Sequence, residues 1–480
     1  MSAIPSEQTL RQRMFRRKAL VPGGQDSGLK RSIGLFQLTG FGVGATIGTG
    51  IFFVLGTNVH KAGPAIVFSF IIAAIVAGIT AVCYAELASS VPVSGSSYSY
   101  AYATLGEVVA MGIAACLLLE YGVSSAAVSV GWSQYLNELL RNTVGVTVPH
   151  VLAAAPWDKD PGFVNLPAMV LVGLCVLLLI RGASESATAN AVMVCIKIAV
   201  LIMFVVIGLQ GWNSNNLADF APFGAQGVWA ATGGIFFSFI GLDAVSTAGE
   251  EVKDPTRTMP RAIILALVIV TAIYVAVALV GVAAQPWQEF QGQEAGLAQI
   301  LANVTGQTWP ATVLALGAVI SIFSVTLITL YGQTRILFTM GVDGVVPPVF
   351  NKVDPRTLTP ATNTLIVGGF VALIAGFVPL DALADLCSIG TLAAFTVVSL
   401  TVILLRRRDP TLHRPFKVPG YPVTPILSIA ACLFVMSGLP LITFAAFVLW
   451  VGAFLVFYFF YGIKHSTLEP YPRSDEKVEA

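Results

Sequence analysis

Lys197 stands in Met193-Val-Cys-Ile-Lys-Ile-Ala-Val-Leu201, about halfway along an apolar run and too deep for its ammonium to reach either end easily. A charge at the middle of a bilayer costs about 3 kcal/mol on insertion scales and more on others. An ammonium with no partner there would give up its proton, which makes Lys197 a candidate proton carrier. The plainer alternative is a fixed ion pair with Glu120 of Cys116-Leu-Leu-Leu-Glu-Tyr-Gly122, because removing either member would strand the other. Asp243 either joins this polar network or caps a half-helix. Glu86, Glu250 and Glu251 lie near the ends of apolar runs. They are expected to be solvated or paired with Lys253, Arg257 or Arg335, and such pairs would act as a gate if they broke as a path opened.

Two segments in corresponding places put these groups beside deliberate breaks: Gly44-Ala-Thr-Ile-Gly-Thr-Gly-Ile-Phe52 and Phe236-Phe-Ser-Phe-Ile-Gly-Leu-Asp-Ala244. Each reads as an apolar helix interrupted midway. Backbone N–H and C=O groups cannot go unpaired in lipid, so a break is tolerated only where it is buried in protein or lines a cavity. Paired breaks in two similar halves point to a secondary transporter with its site at the breaks. Half-helix N-termini there suit an anion and free carbonyls suit a cation. The competing reading of Gly48 and Gly50 is ordinary close packing between helices; Ser238 and Gly241 at the matching place weigh against it. Phe237 is either plain core or a cover over the site.

The elements that carry these residues follow from composition. With 56% hydrophobic and 11% charged residues and a mean hydropathy of +0.82, the chain falls outside the soluble globular class. Runs of about 20 apolar residues lie near 34–57, 65–89, 107–136, 166–181, 186–209 and 227–249, and again near 261–284, 309–338, 362–379, 382–405, 424–440 and 442–463. That makes twelve spans, the last two divided by Gly438, Leu439 and Pro440. With the N-terminus cytoplasmic, every Lys and Arg except Lys61, Arg141, Lys159 and Lys197 falls on the cytoplasmic side. The positive-inside rule then places both termini in the cytoplasm. Spans one to five and six to ten each begin with a broken helix and start on opposite sides, so the core reads as two inverted repeats with spans eleven and twelve appended. Val91–Ser97 reads as a turn-rich connection and Pro260 as the start of span seven.

The basic arm holding Arg11, Arg13, Arg16, Arg17 and Lys18 has no signal-peptide core and is expected to stay attached and to meet anionic headgroups. The six cysteines lie in apolar spans without metal-ligand spacing and read as buried thiols. The segments 142–165 and 285–307 offer no catalytic cluster, the four histidines are scattered, and no P-loop is present. An enzyme is therefore not expected, nor a cofactor, a metal or a nucleic-acid partner. A sensor that binds without transporting would need a signalling domain that neither terminal segment is large enough to supply.

The ordered set Gly44-x-x-Ile-Gly-Thr-Gly-Ile-Phe52, Tyr84-Ala-Glu-Leu-Ala88, Pro92-x-Ser-Gly-Ser-Ser-Tyr98-x-Tyr100 and Phe236-Phe-Ser-Phe-Ile-Gly-Leu-Asp-Ala-Val-Ser246, with Glu250-Glu251, resembles the amino acid-polyamine-organocation superfamily. Within it the likeness is to the cationic amino acid transporter branch, from about residue 30 to 463. The resemblance implies an all-α polytopic membrane protein with 12 transmembrane helices and a LeuT-like 5+5 inverted repeat. Its expected parts are an arm (1–32), a first repeat (33–209), a second (226–405), an appended pair (424–463) and a tail (464–480). It implies alternating-access transport of amino acids across the cell membrane, coupled to protons or run as exchange. It also places the substrate carboxylate on the amides around Gly48, Thr49 and Gly50, and the ammonium on the carbonyls of Thr46, Phe237 and Ile240. Phe237 becomes an aromatic gate and Lys197 the proton carrier. Phe323, in Gly317-Ala-Val-Ile-Ser-Ile-Phe-Ser324, falls where cationic-selective members have a small hydroxyl residue. Small or neutral amino acids are therefore expected, with a cationic amino acid or polyamine transporter or exchanger as the alternative.

Overall fold

The computed structural model describes residues 13–17, 33–48, 50–90, 96–182, 187–243, 245, 252–290, 293, 295–357 and 359–467. Among these the chain is helical. In order the helices are α1 (Leu35–Thr46), α2 (Ile51–Ala62), α3 (Ile66–Ser90), α4 (Ser96–Thr104), α5 (Glu107–Val144), α6 (Leu166–Ile180), α7 (Ala187–Gly208) and α8 (Gly224–Phe236). They continue as α9 (Pro255–Ala284), α10 (Gly296–Thr305), α11 (Trp309–Val342), α12 (Ala361–Phe377), α13 (Leu380–Arg408), α14 (Val423–Met436) and α15 (Leu441–His465). Seven helical stretches among the described residues are long and apolar enough to cross a membrane, and α6, α12 and α14 are shorter apolar helices. The protein is a multi-pass, all-helical membrane protein.

Burial is arranged as a bilayer demands. Large apolar side chains such as Leu441, Ile442 and Leu449 of α15, Val268 of α9 and Leu177 of α6 lie exposed, while Thr46, Glu120, Lys197, Ser238 and Asp243 are buried. With lipid as solvent, polar groups must find partners inside the bundle. Five cysteines are buried as expected; Cys195 is exposed, a departure from the sequence reading.

Helix pairing has an internal order. α2 packs on α8, α3 on α9, α5 on α11 and α6 on α12. Two local expectations change. α9 begins at Pro255 and carries Pro260 inside it, a few residues earlier than the sequence reading. The connection after α3 contains helix α4, which packs on α5 and α13; residues 91–95 lie outside the described residues.

Candidate functional site at the two helix breaks

Both breaks form where the glycines predict them. The amide of Ile47 closes the last turn of α1 on the Val43 carbonyl at 2.8 Å. The chain then extends through Ile47, turns at Gly48 with φ +115°, and resumes as α2, whose first carbonyl, that of Gly50, accepts from the Phe53 and Val54 amides. In the second segment α8 ends at Phe236, one tight turn spans Phe237–Phe239, Ile240 is extended, and Gly241 has φ +93°. A side chain is strained at either φ, so both turns favour glycine.

The breaks also touch each other. A Cβ on Gly241 would lie 2.7 Å from the Ala45 carbonyl oxygen, and one on Gly50 would lie 2.6 Å from Ser238 Oγ. From α11, Val325 and the Ser321 carbonyl come within 3.0 and 3.5 Å of a Cβ on Gly48. Close packing and helix interruption, the two readings of these glycines, hold together at one place.

Two side chains hold the end of α1. The Lys197 ammonium, fully buried on α7, donates to the Gly44 carbonyl at 2.8 Å, and the Tyr274 hydroxyl of α9 donates to the Thr46 carbonyl at 2.9 Å. Both acceptors belong to the last turn, whose carbonyls lack intrahelical donors, and a cation there complements the negative end of the helix dipole. The expected Lys197–Glu120 ion pair is not formed: neither carboxylate oxygen of Glu120 has a hydrogen-bond partner among the described residues. Glu120 lies in a π-turn over Leu119–Val123 within α5, a wide turn of the kind found at functional positions. Its electrostatic neighbour is Asp243, which accepts from the Tyr121 hydroxyl at 3.4 Å. Asp243 thus belongs to the polar network; the half-helix it could cap lies outside the described residues.

Gly48, Gly50, Thr46, Phe237 and Ile240 converge at the breaks. The Phe237 carbonyl accepts from the Ile240 amide at 3.3 Å, and its buried ring lies 5.7 Å from that of Phe53. Thr49, Glu250 and Glu251 lie outside the described residues. Phe323 needs correction. It is only partly buried, and two residues from both Ser321 and Val325 it falls on the far side of α11 from the face that meets Gly48. Glu86 is corrected too. Its partners are Arg406, through Nε at 2.8 Å and a second close contact, the Val418 amide at 2.6 Å, and Arg414 at 3.6 Å. None of Lys253, Arg257 or Arg335 pairs with it.

The sequence reading missed Tyr274, Tyr121, Ser321, Ser324 and Val325. The buried hydroxyls with no hydrogen-bond partner among the described residues include those of Ser124, Ser238, Ser321 and Ser324. Ser321 and Val325 carried a readable signal, since their spacing of four puts them on one helix face. Helix-end dipoles, hydroxyls and an aromatic pair at one place can hold a small dipolar solute; among the described residues there is no nucleophile held against a general base.

Comparison with known proteins agrees with this geometry. The amino acid permease family model matches residues 33–470. The chain is 43% identical over 462 residues to the branched-chain amino acid permease BcaP of Bacillus subtilis, covering 95% of this chain and 99% of that protein. It is 42% identical to the methylthioribose transporter of the same organism, with equal coverage. It is 36% identical to the vacuolar cationic amino acid transporter 2 of Arabidopsis thaliana, over 81% of this chain and 62% of that protein. With nearly the whole chain matched and the paired helix breaks in place, the protein belongs to the amino acid permease family of the amino acid-polyamine-organocation superfamily, a transporter and not an enzyme.

Proposed function

We propose that the protein carries small neutral amino acids, branched-chain ones included, across the cell membrane by proton-coupled alternating access. The substrate carboxylate binds the amides around Gly48, Thr49 and Gly50 at the start of α2. The ammonium binds the carbonyls of Thr46, Phe237 and Ile240. Phe237 with Phe53 closes the site, and Glu250 belongs to a cytoplasmic gate. Val325, the two aromatic rings and the serines form walls for an apolar or small side chain, a composition that matches the substrate named for the two BcaP relatives, in B. subtilis and in Lactococcus lactis.

The observation that carries the reading is the bond from Lys197 to the Gly44 carbonyl. A protonated Lys197 pins the end of α1 by charge and hydrogen bond; a neutral one holds it less. Loss and return of one proton would then favour two positions of α1, and differential binding is the only way a proton can shift such an equilibrium. Glu120 and Asp243 form a second polar stage of the same path. In this reading twelve spans form two inverted five-span repeats, 33–209 and 226–405, with 424–463 appended and both termini cytoplasmic. The pairing of α2, α3, α5 and α6 with their counterparts supports the repeat, and the distribution of Lys and Arg supports the orientation.

The test is a panel of labelled leucine, alanine, arginine and methylthioribose offered to proteoliposomes. Leucine and alanine uptake well above arginine supports the reading. Preference for arginine overturns the substrate class, and preference for methylthioribose overturns the amino acid assignment.

A further inference from the structure

A cavity of about 270 Å³ lies between the C-terminal end of α5, the loop that follows it and the start of α10. It is just below the size range of small-molecule pockets, about 300–1,000 Å³. One face of α5 lines it with Gln134, Asn137, Glu138 and Arg141, spaced so that all four project from the same side. His150 and Gln299 close it from the loop and from α10. The loop is fastened there by the Val148 amide on Asn137 Oδ1 at 2.9 Å.

The lining carries both signs of charge. Glu138 is 6% exposed, yet it lines the cavity, its carboxylate held by Arg141 Nη1 at 3.1 Å and Asn142 Nδ2 at 3.0 Å. Arg141, with its side chain 54% exposed, has further N–H donors beyond that single bond. Gln134 Oε1 is buried and is one of several side-chain atoms with no hydrogen-bond partner among the described residues.

The cavity is also well placed. One turn inward from Gln134 along α5 is Gly131, where a Cβ would lie 2.7 Å from the ring of Phe53, the partner of Phe237. Tyr135, beside Gln134, donates to the Phe52 carbonyl at 2.6 Å. The cavity therefore sits directly beyond the aromatic pair, on the side the charge distribution makes extracellular.

We infer that this cavity is an outer binding site for a zwitterionic amino acid, occupied before the aromatic pair parts. The Glu138 carboxylate takes the ammonium, and Arg141 takes the carboxylate. The inference rests on the proposed amino acid substrate. It adds a second site, about 20–30 Å along α5 from Glu120 at about 1.5 Å per residue.

The test combines equilibrium binding of labelled leucine to the purified full-length protein with uptake kinetics in proteoliposomes. Wild type should saturate at two leucines per chain, and Glu138→Gln and Arg141→Gln at one. In both variants KM should rise about tenfold with kcat unchanged, while Glu138→Asp, which keeps a carboxylate, should retain two. Wild-type saturation at one leucine, or variants with two leucines and an unaltered KM, overturns the outer site and leaves the transport reading standing. A wild type that neither binds nor moves leucine overturns both.

Discussion

The ammonium of Lys197 on α7 is bonded to the carbonyl oxygen of Gly44 at 2.8 Å, two residues before α1 ends. A titratable cation thereby touches the helix break itself, and no intermediary is needed between proton binding and the position of α1. The contact accounts for a lysine buried in an apolar bundle. Its charge meets the negative end of a helix at the one place where unbonded carbonyls are concentrated.

An arginine at this position would stay charged at every accessible pH. Lys197→Arg is expected to bind leucine with near wild-type affinity and to lose about tenfold or more in turnover, because α1 is never released. Parallel binding and uptake assays check this. Normal turnover in the variant would remove the release step.

Gly241 and Gly145 both have positive φ, but only Gly241 also sits against another backbone. Strain at such a φ costs about 1–3 kcal/mol. Gly241→Ala should lower thermal stability in detergent clearly more than Gly145→Ala, which meets open space, and should abolish uptake. Equal effects would mean that the contact with Ala45 contributes nothing.

Val325 stands against Gly48 and should limit side-chain size. Val325→Ala is expected to raise kcat/KM for phenylalanine relative to alanine by about tenfold, the scale of a methylene or two in an apolar pocket. A competition series over alanine, valine, leucine and phenylalanine reads it directly.

Glu86 and Arg406 form a largely buried pair across α3 and α13, with Arg406 also lying over the Tyr421 ring at 4.3 Å. Removing one partner of such a pair costs about 3–5 kcal/mol, whereas replacing both by apolar residues costs less. Glu86→Met should therefore lower the melting temperature more than the double variant Glu86→Met with Arg406→Met.

Much of this was legible in the sequence, for identifiable reasons. Helical segments fall in all twelve apolar stretches, the sixth only in its first half among the described residues, because lipid permits long apolar runs to do little else. Gly48 and Gly241 marked the breaks because only glycine sits comfortably at those φ values. What escaped were relations across the chain. Glu86 meets Arg406, 320 positions away, and no local pattern records that. Phe323 was misplaced because helix phase was not tracked through α11; the neutral substrate expectation, which agrees with the BcaP relatives, had rested on it. Glu120 was matched to the wrong charge because the π-turn that reorients it has no signature in Leu119–Val123.

The most direct test of the account is leucine uptake into proteoliposomes holding wild type or Lys197→Ala, with and without an inward-acid pH gradient. The account predicts that the gradient stimulates wild-type uptake, and that the variant still binds leucine but no longer responds to the gradient. Wild-type uptake that ignores the gradient, or a variant that follows it as wild type does, would contradict a proton-carrying role for Lys197.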